Sequence, residues 1–249
     1  MNKEIKKCKY NKFNIYFKDE KSREIAEKVL NKEYKVVTEY KNTERNYVAK
    51  IEIDKKKYVL KSPKAETVIP QRKIQTILKK GEGLTSFINI DKAKKLGLNF
   101  FIEPLAVMVK RGLFLEESFI IMDYIEGENI KTNQDIDIIM EIVKKIHEKG
   151  IYHGDLNTSN FIKTKSGIKI IDTQAKSEKK WHFKRAYDIL TLKNDLLVLG
   201  TGYDVEEKYK VKRDLGYGLA YLIKNFKNLS IVKKIRGLKV KLRNKGWKI

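Results

Sequence analysis

At 249 residues, 41% of them hydrophobic, the chain is long enough for one domain or two closely packed lobes around a sizeable core. Its 55 Lys and Arg against 32 Asp and Glu give a formal net charge of +23, a field that attracts polyanions and argues against a cationic ligand. The lone Cys8 rules out an intramolecular disulfide, no apolar run approaches the ~20 residues needed to span a bilayer, and "MNKEIKKCKYNKF" lacks the apolar stretch of a signal peptide, so a soluble cytoplasmic protein is expected.

In chain order, "DEKSREIAEKVLNK" predicts a helix with Ile25, Val29 and Leu30 on one face. The β-branched or alternating runs "YKVVTEY", "NYVAKIEI" and "KKYVLKS" predict an antiparallel meander. After a break bracketed by Pro63 and Pro70, "QRKIQTILKK" and "TSFINIDKAKKLG" read as helices, with Glu82 in a turn between Gly81 and Gly83. "FIEPLAVMVKRG" and "EESFIIMDYI" then complete a five-stranded sheet interrupted by helices. From about Gly127 the period becomes helical: Ile136, Ile139, Met140, Val143 and Ile146 share a face, and Gly150 is the expected stop. A polar loop, "IYHGDLNTSNF", and a hairpin, "NFIKTKSGIKIID", follow, and the rest from "WHFKRAYDILTLKNDLLVLG" reads as helix. After Asp214 there is no acid, while ten Lys and Arg remain.

This is the order of a two-lobed phosphotransferase of the α+β class. Residues 1–122 are expected to form a small antiparallel β-rich N-lobe that binds nucleotide phosphates. Residues 123–249 are expected to form the hinge and a mainly helical C-lobe with catalytic loop, metal site and acceptor site. Phosphoryl transfer from a nucleotide needs a carboxylate at the attacking hydroxyl, oxygen ligands for Mg²⁺ and a cation on the donor phosphates. The stretch from His153 to Asn160 has the His-x-Asp-x-x-x-x-Asn spacing of a kinase catalytic loop. Asp155 would orient the acceptor hydroxyl, and Asn160 would bring an amide oxygen to the metal. Asp172, at the end of the hairpin, would add a carboxylate, and Lys61, closing the third strand of the meander, would meet the α and β phosphates. One carboxylate and one amide beside nucleotide phosphates suffice for Mg²⁺, which prefers hard oxygens and keeps several waters. Singly, Asp155 reads as an Asx-turn residue, Asp172 as a hairpin terminator and Lys61 as a solvated lysine; their order is what points to chemistry. His153 reads as a brace for the loop backbone, and His147 as a packed or capping residue.

On "YVLKSP", "FIIMDYIEGENI", "IYHGDLNTSNFI", "IKIIDTQ" and "KRAYDILTLKNDL", the chain resembles the protein-kinase-like superfamily and, more closely, the lipopolysaccharide core heptose(II) kinases. The resemblance covers about Tyr34 to Gly200. It implies ATP-dependent phosphorylation of an inner-core heptose at the cytoplasmic face of the inner membrane, with Asp155 as base, Asn160 and Asp172 on Mg²⁺, and Lys61 on phosphates. Asp123, Tyr124 and Ile125 would lie at the adenine-binding hinge, and Asp188, with Asp195 as competitor, would be the buried Asp that ties down the catalytic loop.

The departures from that pattern are specific. The turn "KNTERN" has no glycine, so Thr43 and Arg45 are the candidates to hold phosphates through side chains. "QRKIQTILKK" has no acid to pair with Lys61, so Glu66, ahead of Glu82, is the candidate partner, or the pair is absent. Asn157 stands where protein kinases usually carry Lys, and no proline follows the catalytic loop to form an Ala-Pro-Glu signature. These features favour an anionic small-molecule acceptor, the lipid-linked lipopolysaccharide core oligosaccharide. Another small-molecule or protein hydroxyl, or a nucleotide-binding pseudokinase, is the alternative. The basic C-terminal tail reads first as a solvated face and second as a contact with the lipid-linked acceptor and an anionic membrane surface; no nucleic acid is expected.

Overall fold

The computed structural model describes residues 3–178 and 182–228. The chain divides into two compact units, one of Met1–Asp91 with Ile102–Ile125, the other of Lys92–Phe101 with the residues from Glu126 onward. The acid-free sequence from Leu229 and the basic segment Lys179–Trp181 lie outside the described residues.

The first unit opens with a hairpin, β1 (Lys6–Tyr10) and β2 (Phe13–Phe17), joined at Asn11, whose φ is 51°. Helix α1 (Glu20–Leu30) starts where Asp19 accepts from the Ser22 N–H at 2.9 Å, a cap that satisfies one of the otherwise orphaned donors of the first turn. The meander β3 (Lys35–Asn42), β4 (Tyr47–Ile53) and β5 (Lys56–Ser62) follows. Short helices α2 (Ala65–Val68) and α3 (Pro70–Gln75) lead to α4 (Glu82–Lys95), then to β6 (Ala106–Arg111) and β7 (Leu115–Asp123). The sheet is antiparallel in the order β1-β2-β6-β7-β5-β4-β3. It therefore has seven strands where five were expected, because the N-terminal hairpin adds to the β6 edge.

Strand alternation sends one set of side chains to each face of this sheet. Ile15, Phe17, Ile51, Leu60, Met108 and Ile121 pack with Ile25, Ala26 and Val29 of α1. On β6 and β7, Val107, Val109 and Leu115 pack with Leu84 and Phe87 of α4. Two local expectations are corrected here. Helix α3 ends at Gln75 rather than running to Lys80, because the Arg111 guanidinium takes the carbonyls of Thr76 and Lys79 at 2.6 Å each. The Thr76 hydroxyl also accepts from the Leu115 N–H. Glu82 is the first residue of α4 rather than a turn residue, and its N–H donates to the Glu66 carboxylate at 2.7 Å. An anion at that end suits the helix dipole.

In the second unit, β8 (Glu128–Asn129) precedes α5 (Asn133–Glu148). Thr132 and Asp135 form a reciprocal capping box at its start. Its apolar stripe is buried as the periodicity requires, and Gly150, φ 68°, ends it. Strand β9 (Ile151–Tyr152), a 3₁₀ turn at Thr158–Asn160, the hairpin β10 (Phe161–Thr164) and β11 (Gly167–Ile170), and β12 (Lys176–Ser177) come next. Helices α6 (Phe183–Lys193), α7 (Leu196–Thr201), α8 (Val205–Tyr209) and α9 (Leu215–Asn228) follow among the described residues. Among the described residues, no helix is long and apolar enough to cross a membrane.

Candidate active site

The loop after β9 is built around His153. Helix α6 brings Asp188, 1% exposed, beneath it, and this carboxylate accepts from the backbone N–H of His153 at 2.5 Å and of Gly154 at 3.0 Å. Two adjacent N–H groups converge on one carboxylate because Gly154 turns the chain at φ 95°, a conformation that costs an L side chain but not glycine. The His153 carbonyl accepts from Thr173 Oγ1 at 3.0 Å and the Gln174 N–H at 3.1 Å, its ring stacks on Phe161, and its Nδ1 accepts from the Asp155 N–H at 3.3 Å. Burial pushes the imidazole pKa below its ordinary value, so the ring is neutral and acts as a brace. A second carboxylate holds the far end of the loop: Asp195 accepts from Thr158 N–H at 3.0 Å and Thr158 Oγ1 at 2.9 Å while capping α7. Asp188 and Asp195 are thus both positioning groups, at opposite ends of one loop.

Between these anchors Asp155 is exposed. Its carbonyl accepts from Asn160 Nδ2 at 2.8 Å and Asn157 Nδ2 at 3.1 Å. The Asn160 nitrogen is thereby committed to the loop, and its amide oxygen is the group suited to a hard cation. The hairpin folds back so that the Ile171 N–H meets the Asn160 carbonyl at 3.0 Å, which brings Asp172 beside Asn160. The structure therefore brings Asp155, Asn160 and Asp172 together on one loop and hairpin. Asn157, whose amide also accepts from Ser159 Oγ, is engaged within the loop.

His147, at the end of α5, is 3% exposed and lies between two partners. Its Nε2 is 3.5 Å from Asp188 Oδ2 and its Nδ1 is 2.6 Å from the Tyr209 hydroxyl. Burial pushes the Tyr209 hydroxyl up to about 12, which keeps it a donor.

The nucleotide-side candidates lie in the first unit. Lys61 sits on β5 opposite Val48 of β4 and Ile120 of β7, on the face away from buried Leu60 and Ser62. Asp123 ends β7 opposite Tyr58 and pairs with Lys56 at 2.6 Å, and the Tyr124 N–H continues the ladder to the Lys57 carbonyl. Ile125 closes the unit's share of this segment. Thr43 closes the β3–β4 turn on Asn46 through both its N–H and its hydroxyl, and Arg45 is exposed. Glu66 holds the head of α4, as described. Sequence reasoning missed a partly buried ion cluster in this unit, where Lys18 pairs with buried Asp91 and with Glu103. Its one legible sign was Asp91 following Ile90 on the apolar side of α4.

An antiparallel sheet covered by a helix, a mainly helical unit, and an Asp/Asn/Asp constellation on a loop and hairpin define a phosphotransferase of the protein-kinase-like class. In agreement, a solved structure described as "WaaP in complex with acyl carrier protein" shares the fold at a TM-score of 0.54 and 13% identity, over 93% of this chain and 97% of that one. Residues 4–239 match the family "Lipopolysaccharide core biosynthesis protein (WaaY)", and the chain belongs to it. An Escherichia coli protein named lipopolysaccharide core heptose(II) kinase WaaY is 29% identical over 185 residues, covering 70% of this chain and 79% of that relative. Its counterpart from Escherichia coli strain K12 is 26% identical over 204 residues, 78% of this chain and 81% of that one.

Proposed function

We propose that the chain transfers the γ-phosphoryl group of ATP to a hydroxyl of a heptose in the lipopolysaccharide inner core. The observation that carries this reading is the loop itself: Asn160 and Asp172 are joined through the Ile171–Asn160 hydrogen bond beside an exposed Asp155 whose backbone is fixed on both sides. Membership of the WaaY family and the names of the Escherichia coli relatives supply the acceptor.

In this reading Asp155 orients the acceptor hydroxyl and takes its proton as the oxygen attacks the γ-phosphorus; the bond to the β,γ-bridging oxygen breaks and ADP leaves. Asp188, Asp195 and neutral His153 keep that carboxylate in place without exchanging protons. Asn160 and Asp172 form a hard-oxygen pair that would hold Mg²⁺. When bound, Mg²⁺ neutralises charge on the β and γ phosphate oxygens. Lys61 is assigned the α and β phosphates, Glu66 the stabilisation of that region, Thr43 and Arg45 the turn over the phosphates, and Asp123 to Ile125 the adenine. The acceptor is lipid-linked and anionic, which suits the charge of +23 and a place at the cytoplasmic face of the inner membrane.

The test is an acceptor panel with ATP and Mg²⁺: core lipopolysaccharide lacking heptose phosphate, the same core dephosphorylated enzymatically, an aminoglycoside and a generic protein substrate, each read by mass spectrometry. One phosphate gained by the core samples alone is expected. Phosphate on the aminoglycoside or protein, with none on the core, would overturn the assignment of acceptor.

A further inference from the structure

Helix α9 has two unlike faces. Tyr217, Ala220 and Lys224 face the rest of the unit: the Tyr217 hydroxyl donates to Glu206 at 2.5 Å, Ala220 is fully buried, and Lys224 donates to Thr191 Oγ1 at 2.9 Å while lying over the Tyr187 ring. Thr191 and Tyr187 belong to α6, the helix that carries Asp188. The opposite face is apolar and uncovered. Leu215, Leu219, Leu222 and Phe226 are 84%, 47%, 67% and 63% exposed. At 3.6 residues per turn, spacings of four, three and four place all four within roughly 60° of arc. Single exposed apolar residues are ordinary; four in one stripe on one helix are not.

The charge of the surrounding sequence selects what would cover this stripe. From Leu215 to the last residue the chain has no Asp or Glu and ten Lys and Arg, eight of them after Leu229. A second copy of a chain carrying +23 would bring two acid-free segments together, which like-charge repulsion opposes. An anionic lipid surface is complementary to both features, since it takes apolar side chains into the acyl boundary and attracts Lys and Arg through its surface potential. Among the described residues no helix is long and apolar enough to cross a membrane, and one apolar stripe on an otherwise packed helix suits a helix lying in the plane of the surface.

We propose that α9 docks the protein on anionic membrane, with Leu215, Leu219, Leu222 and Phe226 inserted. The inference deepens the proposed function and takes its purpose from the lipid-linked acceptor; its test does not depend on catalysis. Through α6, the docked helix is continuous with the support of the catalytic loop.

The experiment is co-sedimentation of the full chain with vesicles of phosphatidylethanolamine and phosphatidylglycerol, and with pure phosphatidylcholine, using wild type and a Leu222→Gln/Phe226→Gln variant. This variant leaves charge unchanged and alters exposed positions, and circular dichroism checks that it folds. Expected are preferential binding of wild type to the anionic vesicles, a tenfold or greater loss of partitioning in the variant, and unchanged transfer to a soluble, delipidated core oligosaccharide. Absence of wild-type binding, or equal binding by the variant, would overturn the proposal, the latter by showing attachment through charge alone. So would a wild-type dimer in light scattering that the variant converts to monomer. Transfer lost in wild type with vesicle binding intact would count against the kinase reading and leave the docking helix standing.

Discussion

Replacing Asp188 by alanine tests whether the catalytic loop is held from below. The carboxylate satisfies the N–H groups of His153 and Gly154 and faces the Nε2 of His147. A buried donor left without an acceptor costs about 1–3 kcal/mol. The His153 N–H would lose its acceptor within the protein, whereas Gly154 is exposed and water can reach its N–H. Adding the unpaired His147 gives a loss of about 2–4 kcal/mol, which for a chain of this size lowers Tm by roughly 5–15 °C. Turnover, measured where the variant is still folded, should fall by about tenfold or more because Asp155 is no longer fixed, while the KM for ATP should change little. Asp188→Asn should fall between, since an amide offers one accepting oxygen and turns a donor toward the second N–H. A thermal midpoint within about 2 °C of wild type, with unaltered turnover, would refute the reasoning.

Asp155→Ala should lower turnover by about 10²–10⁴-fold with nucleotide affinity nearly intact by calorimetry, whereas Asp172→Asn should weaken ATP binding in Mg²⁺ and leave the metal-free affinity unchanged. Asp195→Ala removes both the Thr158 contacts and the α7 cap, so it should destabilise by about 1–3 kcal/mol, read from the urea midpoint. Acid should loosen the start of α5: a hydrogen bond from Lys163 and the capping contacts hold the Asp135 carboxyl down at about 2. A depressed carboxylate contributes stability above its unfolded value near 3.8 that is lost as pH falls toward 2. Because Lys163 is half exposed, that contribution is about 1–2 kcal/mol, and Asp135→Asn should flatten the dependence of Tm on pH between 5 and 2. His153 runs in the same sense at higher pH, since burial depresses its pKa and protonation below its unfolded value near 6.5 favours the unfolded chain; wild type should lose stability below that pH more steeply than His153→Gln.

The parts of the site legible in the sequence are those whose chemistry fixes their spacing. The interval from His153 to Asn160 and the hairpin ending at Asp172 need no tertiary knowledge, and the α5 stripe follows from helical period alone. What could not be read depends on partners far along the chain. Nothing local ends α3 at Gln75; Arg111, 35 residues beyond Thr76, does so by taking two carbonyls. Glu82 looks like a turn residue between two glycines, and becomes a helix start because Glu66 accepts its N–H. The β1–β2 hairpin was hidden by lysines, since in these strands only Ile15 and Phe17 are buried. Asp195 was weighed as a rival of Asp188 for one role, whereas the two hold different ends of the loop. The Lys18–Asp91–Glu103 cluster joins residues from three separated segments.

The central claim is that Asp155 serves transfer to a heptose hydroxyl. Its most direct test is transfer of label from γ-labelled ATP with Mg²⁺ to purified core lipopolysaccharide lacking heptose phosphate, with wild type and Asp155→Ala side by side. Label in the heptose with wild type, reduced at least a hundredfold in the variant, is the predicted result. Equal labelling by both proteins, or none by a wild type that still binds ATP, would contradict it.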